Sequence, residues 1–354
     1  MVNGDSHPDL LQLSPAGGCG CKLPLKQMRE FMAGIEGMIF AGGPTASVVI
    51  GGADRDDAAL YEISPGALLA VTTDFGTPVS ADIATWGRIA AQNALSDIFA
   101  MGARPLLALS VMAVPDWFGV DLMTRLTRGA TTALSEASAP LVGGHTVRSP
   151  VPLFGLSVVG QVDADRAMLL RNARPGQRLV LTKPLGTGIV VAGARAGVAP
   201  AELMAAAENL MSRSNRIAAE IATEHGVRAA TDVTGFGLMG HLQNMMGASG
   251  CSARLWRDAV PVLAGAMELL EEHAVVPNSA ENNLFALDEH VGWAATPFAW
   301  RLTVSDPQTS GGLLLAVDEA AVAGLVAACS GRDVDAHVIG VVEEGTSGRV
   351  VVEA

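Results

Sequence analysis

Two cysteines and a lysine lie close together near the start of this chain, in a segment that is otherwise mostly glycine. Residues 17–22 read Gly-Gly-Cys-Gly-Cys-Lys, which places Cys19 three residues before Lys22. Glycine leaves the backbone free to move, and a nearby ammonium group favours the thiolate, the reactive form of cysteine. The segment therefore predicts a mobile nucleophile. A dispensable tail and half of a zinc site are the alternatives.

Separated acidic residues follow this segment, and each lies among small side chains. They are Asp56 and Asp57, Asp74, Asp97, and Asp232. Magnesium prefers oxygen ligands and often bridges carboxylates to phosphates, and metal ions neutralise the charge that develops when a polyphosphate is cleaved. Aspartates also cap helices and turns, so any one of them alone is ambiguous. Together with their polar neighbours they predict a site for magnesium and a nucleotide.

Three glycine-containing segments offer backbone amides that could approach an anion. They are Gly-Gly-His-Thr at 143–146, the loop at 183–188 and the loop at 306–312. The first is not a Walker-type loop, because no Gly-Lys-Ser/Thr closes it. Each segment either binds phosphate or only connects two elements, and a Gly-Gly pair is most often simply a turn.

The elements that must position these residues alternate between strands and helices. Short apolar runs that end in glycine or acid predict buried strands at 48–50 and 68–73. Further strands are predicted at 106–114, 153–162, 178–182, 301–304 and 313–317, with a strand running into a loop over 229–237. Helices are predicted at 25–33, 86–101, 122–137, 201–210, 215–224 and 259–273. Asn93 and Asp97 lie four residues apart and share a helix face.

This alternation predicts an α/β protein of two domains. We place a flexible N-terminal segment at 1–47, a first domain at 48–164 and a second at 165–354. The composition agrees, because 49% of the 354 residues are hydrophobic and only 17% are charged. A disordered chain would have few apolar residues and a high net charge per residue.

The charge balance and the apolar pattern exclude several classes of partner. The chain carries 23 basic and 36 acidic residues, a net charge of −13, so we expect no nucleic-acid partner. No apolar run reaches the roughly 18 residues of a membrane helix, and the first ten residues do not resemble a signal peptide. Four cysteines in so long a chain are not a disulfide framework. We expect a protein of the reducing cytoplasm.

Nine motifs follow one another along the chain. They are Gly-Cys-Gly-Cys-Lys at 18–22, Arg-Asp-Asp-Ala-Ala at 55–59, Thr-Thr-Asp-Phe at 72–75, Gly-Arg-Ile-Ala-Ala at 87–91, Asn-Ala-Leu-Ser-Asp at 93–97, and the segments at 143–146, 181–188, 231–237 and 306–312. Each motif is modest alone, but the ordered set is specific. Over about residues 17–317 it resembles the selenophosphate synthetase (selenide, water dikinase) family.

The resemblance implies a fold like that of aminoimidazole ribonucleotide synthetase, with ATP bound between the two domains. It also implies a homodimer in which N-terminal-domain strands of two subunits form a barrel, and in which the partner contributes to the nucleotide site. The implied reaction converts ATP, selenide and water into selenophosphate, AMP and phosphate, with Mg²⁺ as cofactor.

Residue roles follow by motif position. Cys19 matches the catalytic cysteine or selenocysteine, Lys22 the essential lysine, and Cys21 a second cysteine that is not the nucleophile. The implied magnesium ligands are Asp57, Asp97 and Asp232. The implied nucleotide contacts are Lys22, Asp54, Arg55, Asp56, Asp74, Asp97, Gly144, His145 and Thr146. Cys19 could deliver selenium, bind it transiently or help to close a lid.

The chain departs from the family at residues 277–283. Members usually carry a Gly-Gly-Thr-rich turn that ends in Arg-Asn, whereas this chain reads Pro-Asn-Ser-Ala-Glu-Asn-Asn. If that loop touches phosphate, we expect weaker nucleotide binding here.

Two alternative functions remain. One is another ATP-using enzyme of the superfamily, such as a purine-pathway synthetase, a thiamine-phosphate kinase or a hydrogenase-maturation enzyme; those relatives lack the Cys-Gly-Cys-Lys segment. The other is a non-catalytic nucleotide-binding paralogue, which would be expected to lose the nucleophile that Cys19 retains.

Overall fold

A computed structural model describes residues 8–14, 16–39, 47–52, 54–273 and 275–354, with the side chains of 36–39 left out. The first part of the chain contains α1 (Leu25–Ile39), β1 (Val48–Ile50), β2 (Ala59–Ser64), β3 (Ala67–Gly76), α2 (Ile83–Ala100), β4 (Arg104–Val114), α3 (Val120–Glu136), β5 (Leu141–Arg148) and β6 (Leu153–Asp163). Two short 3₁₀ turns, Leu10–Gln12 and Cys19–Cys21, precede α1.

The rest of the chain contains β7 (Arg178–Leu181), α4 (Thr187–Arg195), α5 (Ala201–Ser212), α6 (Arg216–Glu224), β8 (Ala229–Asp232), α7 (Gly237–Ser249), β9 (Ser252–Trp256), α8 (Ala266–His273), α9 (Asn278–Leu287), β10 (Val291–Gly292), α10 (Phe298–Ser305), β11 (Leu313–Val317), α11 (Glu319–Ser330), β12 (His337–Glu343) and β13 (Val350–Glu353).

The strands form two open sheets. A six-stranded sheet has the order β1-β2-β3-β6-β4-β5, and a seven-stranded sheet has the order β10-β13-β9-β12-β7-β11-β8. The long antiparallel pair β3–β6 runs in register from Ala67 opposite Asp163 to Gly76 opposite Phe154. In the second sheet β11 reads Leu-Leu-Leu-Ala-Val and is buried along its whole length, as expected of a strand covered on both faces.

Helix α2 connects the two halves. It packs on β3 and β6 of the first sheet and against α3, and it also touches β8 and α5 of the second half. Glycine allows this close packing, because a Cβ at Gly129 of α3 would lie 1.9 Å from the carbonyl oxygen of Ala84 on α2. Since α2 carries Asn93 and Asp97, it brings these residues to the boundary between the sheets.

The structure confirms the mixed α/β fold and most predicted elements, and it corrects four. Residues 301–304 lie in helix α10 rather than in a strand, and only 266–273 of the predicted helix at 259–273 is α-helical. The Gly-Gly pair at 143–144 lies within strand β5 and not in a turn. Residues 278–283 begin helix α9 and are not a loop.

The sheets and helices also bear on two predictions about larger features. The sheets of the described residues include no closed barrel. Over the described ranges, we find no helix with the length and hydropathy of a membrane span.

The predicted flexible segment at 1–47 lies partly outside the described residues. Of the part that is described, Leu10, Leu11 and Cys19 are buried.

Candidate functional site

Three carboxylates from distant parts of the chain meet between the two sheets. Asp57 precedes β2, Asp97 lies on α2, and Asp232 ends β8. One oxygen of each lies within 4.8 Å of the others. The structure therefore brings together the three residues that sequence reasoning named as metal ligands.

Two threonines fix this acidic cluster while leaving other oxygens free. Thr231 Oγ1 donates to Asp57 Oδ1 at 2.8 Å, and Thr72 Oγ1 donates to Asp97 Oδ2 at 2.6 Å. Asp57 Oδ2 and both carboxylate oxygens of Asp232 are buried without a well-formed hydrogen bond from any described residue. Buried oxygens of this kind are costly unless a cation or donor satisfies them. The set fits Mg²⁺, a hard ion that takes oxygen ligands.

The protonation of these carboxyls reflects the same crowding. Burial raises the pKa of Asp57 and Asp97 well above the ordinary value, and the neighbouring charge of Asp232 raises both further. Burial also raises the pKa of Asp232, to about 6. A divalent cation would oppose both effects, because it stabilises the ionised form of its ligands.

Lys22 lies beside this cluster in a fixed position. Its Nζ donates to Asp74 Oδ2 at 2.7 Å, and Asn93 Nδ2 donates to the same oxygen at 2.8 Å. Burial acts to lower the pKa of Lys22, but the negative charge of Asp74 raises it, with smaller contributions from Cys19 and Asp97. The net pKa lies well above the ordinary value. Lys22 is therefore a fixed ammonium group at the edge of the acidic cluster.

Cys19 is buried next to Asn93. Its Sγ donates to Asn93 Oδ1 at 3.4 Å, and its backbone N–H donates to Thr309 Oγ1 at 3.0 Å. Burial raises the pKa of Cys19 to about 12, although Lys22 acts to lower it. The expectation of a thiolate is therefore wrong for this arrangement, because the loss of hydration outweighs the attraction of the ammonium group. The second cysteine, Cys21, is exposed.

The backbone conformation and close packing at position 18 require a glycine just before the buried thiol. Its φ is +52°, and an added Cβ would lie 2.2 Å from Thr309 Oγ1 and 2.4 Å from a methyl group of Val79. Its N–H donates to the carbonyl of Thr77 at 3.2 Å. Any side chain here would push the thiol segment, residues 17–22, off the protein surface.

A cavity of about 600 Å³, the acidic cavity, opens above the cluster. The cluster carboxylates, Lys22 and Asp74 line one side, and the α1 residues Met28, Arg29 and Met32 line another. This volume is in the range of pockets that hold drug-sized ligands and cofactors. The arrangement combines a carboxylate cluster, a fixed ammonium group and an apolar wall, which is the combination that a magnesium–nucleotide complex requires.

Of the other predicted nucleotide contacts, some line the acidic cavity and some do not. Arg55 and Asp56 line the acidic cavity. Asp56 accepts the backbone N–H of Leu170 at 3.2 Å, and burial raises its pKa to about 7. Asp54 is exposed outside that lining, where its Oδ2 accepts the N–H of Gly51 at 2.7 Å.

Gly144, His145 and Thr146 are also outside the lining of the acidic cavity. They lie on β5, the edge strand of the six-stranded sheet, and are exposed. Within this single chain, the structure does not bring them to the acidic cluster.

The sequence patterns do not single out several supporting residues. Thr231 and Thr309 lie within polar motifs that give no sign of the contacts by which they hold Asp57 and Cys19. Nothing in the sequence marks His241. Its Nε2 accepts the N–H of Thr234 at 3.2 Å, and burial lowers its pKa to about 3, so the imidazole is neutral. The i, i+4 spacing of Met28 and Met32 on α1 was a usable signal for the apolar wall.

A second cavity of about 610 Å³ lies on the other side of the thiol segment, and we call it the amide cavity. The start of α9 forms one wall through Asn278, Ser279 and Asn282, and α4 forms another. The departure from the family pattern at 277–283 therefore faces this cavity. None of these residues lines the acidic cavity, so the expected effect on phosphate binding has no direct contact to act through.

The loops at 183–188 and 306–312 contact each other near this cavity. Gln308 Oε1 accepts the N–H groups of Gly186 at 3.0 Å and Thr187 at 3.1 Å. Lys183 Nζ donates to the carbonyl of Ser310 at 2.8 Å. These contacts support the connecting role of both loops.

Comparison with known proteins agrees with the motif order. Residues 55–162 match the family model described as AIR synthase related protein, N-terminal domain, and residues 174–353 match the corresponding C-terminal domain. The chain is 37% identical to the selenide, water dikinase of Cronobacter sakazakii over 97% of both chains. It is 38% identical to that of Myxococcus xanthus over 98% of both chains.

Solved structures share the fold at lower identity. A hydrogenase maturation protein in complex with ATP superposes with a TM-score of 0.61 at 19% identity, covering 92% of this chain and 90% of the other. At this identity the likeness concerns the fold alone.

Proposed function

Because the chain belongs to the selenide, water dikinase family, we propose that it makes selenophosphate from ATP, hydrogen selenide and water, releasing AMP and phosphate. The observation that carries the proposal is the close placement of three parts. Lys22 and Asp74 line the acidic cavity together with the acidic cluster. Asn93 then links Asp74 to the buried thiol of Cys19 through two hydrogen bonds. A superfamily kinase acting on another acceptor would have no evident use for the thiol.

We propose that the acidic cavity binds ATP. Asp57, Asp97 and Asp232 would hold Mg²⁺, and the bound ion would supply positive charge against the phosphates. Lys22 contributes a second positive charge near the same phosphates. Asp74 and Asn93 fix the direction of that ammonium group, so little reorganisation is needed when charge develops on the phosphate oxygens.

We propose that the thiol segment shields the site of phosphoryl transfer to hydrogen selenide from bulk water. Cys19 is 4% exposed and its segment is held by Thr77 and Thr309. Water would otherwise compete with selenide for the phosphoryl group, and closure of a segment over a site excludes such side reactions. As a neutral thiol, Cys19 here orients and shields rather than attacks; an incoming selenide anion would meet Lys22 and not a second anion.

Product analysis tests the proposal. With ATP and Mg²⁺ under anaerobic conditions, we expect AMP and phosphate to appear only when selenide is added. Formation of ADP with an aminoimidazole precursor or thiamine phosphate, and none with selenide, would favour a different superfamily kinase. Binding of ATP with no turnover under any condition would favour the non-catalytic paralogue.

We also propose a homodimer, in which the exposed edge of the six-stranded sheet is covered by a second copy. Val142 and Val147 on β5 and Leu109 on β4 are exposed apolar residues, and an unpaired apolar edge favours association. The partner's edge would supply the second set of Gly144, His145 and Thr146 to the nucleotide. Val147→Glu should shift the sedimentation of the protein from dimer to monomer. A wild type that sediments as a monomer at micromolar concentration would contradict the proposal.

We propose domain limits at 48–164 and 165–354, after the segment 1–47. The six-stranded sheet lies within the first range and the seven-stranded sheet within the second. Beyond residue 47, limited proteolysis should cut first near residues 164–166, which are exposed. Early cuts inside either sheet would contradict these limits.

We propose that the protein works in the reducing cytoplasm, since its four cysteines are free and selenide oxidises readily. Thiol titration of the freshly isolated protein should find four reactive groups after denaturation, and a disulfide would contradict this setting.

A further inference from the structure

The amide cavity and the acidic cavity share one residue of the thiol segment, Lys22. Of the two cavities, Cys19 and Gly20 line only the amide cavity, whereas Cys21 lines only the acidic cavity. The thiol segment is thus a partition between two spaces, each of about 600 Å³. When a nucleotide fills the acidic cavity, the amide cavity is a separate way by which a small molecule can reach Cys19 and Lys22.

The lining of the amide cavity suits a small anion. Lys22 and Arg195 place positive charges around it, His273 also lines it, and α9 begins with its N-terminus at the wall. Arg195 Nη2 donates to the carbonyl of Ser14, whereas its Nη1 is buried and donates to no acceptor in the described part of the chain. The polar residues Asn278, Ser279 and Asn282 complete the wall.

One acidic group also lines this cavity. Asp306 is fully buried, its Oδ2 accepts the N–H of Ile189 at 3.1 Å, and its Oδ1 has no hydrogen bond among the described residues. Burial raises the pKa of Asp306 to about 7. Gln308 Nε2 also donates to Asp306 Oδ2 at 2.8 Å, so two donors already engage that oxygen.

We propose that the amide cavity is the selenide-access chamber, which admits and holds hydrogen selenide on its way to Cys19 and Lys22 while ATP occupies the acidic cavity. This inference rests on the proposed function and adds the site and direction of the second substrate. No covalent step in the chamber is required: the anion exchanges water for the polar wall and leaves toward Lys22.

Paired charge changes at Asn282 test this chamber. Asn282 is exposed at its wall, so a new charge there carries little risk to folding. We expect Asn282→Asp to raise the KM for hydrogen selenide about two- to fivefold and Asn282→Arg to lower it by a similar factor, as one nearby charge in a wet cavity would. The KM for ATP should stay unchanged. Selenide KM values that do not respond, or equal shifts in the KM for ATP, would overturn the inference.

Phe285 provides the matched control. It lies one turn further along α9, is 69% exposed and lines neither cavity. Phe285→Asp and Phe285→Arg change the net charge equally and should leave both KM values unaltered. If they reproduce the Asn282 effects, the cause is the overall charge of the protein and the inference fails.

Alkylation of Cys19 tests access without turnover. The experiment uses a Cys21→Ser background at alkaline pH, which raises the thiolate fraction of Cys19. The rate at which iodoacetamide modifies Cys19, read by mass spectrometry, should be the same with and without a bound non-hydrolysable ATP analogue. Ser279→Trp, which fills the chamber, should slow this reaction about tenfold or more, whereas Glu281→Trp, two residues along α9 and outside the lining, should not. Complete protection by the nucleotide analogue, or equal rates in Ser279→Trp and wild type, would overturn the inference.

Different results would exclude the proposed function and the selenide-access chamber. If the wild-type protein makes no selenophosphate, the proposed function is wrong, whatever the alkylation rates. If it makes selenophosphate while Asn282 and Ser279 variants behave like their controls, only the chamber is wrong.

Discussion

Among single residues, the thiol of Cys19 is buried and neutral, whereas the ammonium group of Lys22 is charged and fixed in position. Cys19 and Asp74 both bind Asn93, through its oxygen and its nitrogen respectively. The thiol is held neutral by burial, and the charge of the site is carried by Lys22. We therefore propose that Cys19, which the sequence presents as a nucleophile, acts in this arrangement as a neutral polar wall that contacts the selenide anion.

Cys19→Ser keeps the hydrogen-bond donor but removes the sulfur. We expect selenophosphate formation to fall by at least about a hundredfold, and ATP binding, measured by calorimetry, to survive because the acidic cavity is unchanged. Cys21→Ser is the control and should keep nearly full activity. Turnover that persists in Cys19→Ser would remove the sulfur from the mechanism.

Asp232→Asn tests the acidic cluster, since both oxygens of Asp232 are buried without well-formed hydrogen bonds. The substitution replaces one carboxylate oxygen by an amide nitrogen, which removes the negative charge and one ligand atom. The Mg²⁺-dependent affinity for the nucleotide should therefore fall roughly tenfold to a hundredfold. Asp165→Asn, at an exposed position, is the matched control. Unchanged affinity in Asp232→Asn would mean that Asp232 is not a ligand.

The ligand candidates could be predicted from residue type and small neighbours, but the partners that hold them could not. Thr72 and Thr231 precede a site aspartate by two residues and one residue, yet only the pleat decides which hydroxyl meets which carboxylate. The protonation of Cys19 was also out of reach, because burial depends on Thr309 and Val79, which the chain brings in from far along the sequence.

At the scale of elements, the packing of α2 on α3 sets the position of the cluster. Gly129 meets the backbone of Ala84 so closely that no Cβ fits. Gly129→Ala should lower the free energy of unfolding by about 1–3 kcal/mol, because the helices must separate. Gly34→Ala on α1, where an added Cβ meets nothing within 4 Å, should instead raise it by about 0.5–1 kcal/mol. Urea titration compares the two; equal changes would contradict the packing account.

Element types were predictable where the apolar period was strong, as in α2, β4 and β6. The failures have physical reasons. The β-branched residues at 301–304 favour a strand, but Pro297 precedes helix α10 and its packing against α9 and α7 overrides that local preference. The asparagines at 278–283 suggest a loop, although Pro277 just before them and Glu281 in the first turn were start signals for α9.

At the scale of the whole molecule, the acidic cluster couples stability to pH and metal. Burial raises the pKa of Asp232 from its ordinary 3.8 to about 6, and it also raises those of Asp57 and Asp97 well above the ordinary value. Through these carboxyls the folded protein binds more protons than the unfolded chain above about pH 4, and their contribution to stability falls as pH rises through this window. A bound cation should offset that loss once the carboxyls ionise.

Thermal unfolding at several pH values checks this coupling. Without divalent ions, we expect Tm to fall between pH 5 and pH 8, and added Mg²⁺ to raise Tm more at pH 8 than at pH 5. Asp232→Asn should weaken both responses. A Tm that rises with pH in the metal-free protein, or an Mg²⁺ effect that is equal at both pH values, would contradict the proposed linkage.

The most direct measurement is anaerobic phosphorus NMR of the reaction with ATP, Mg²⁺ and ⁷⁷Se-labelled hydrogen selenide. A phosphorus–selenium bond splits the product resonance into a doublet, which unlabelled water and phosphate cannot produce. We expect this doublet together with AMP and phosphate when selenide is present. Without selenide, we expect no doublet, no AMP and no phosphate. ATP cleaved at the same rate with and without selenide, with no split resonance, would contradict the assignment of this chain as a selenophosphate-forming enzyme.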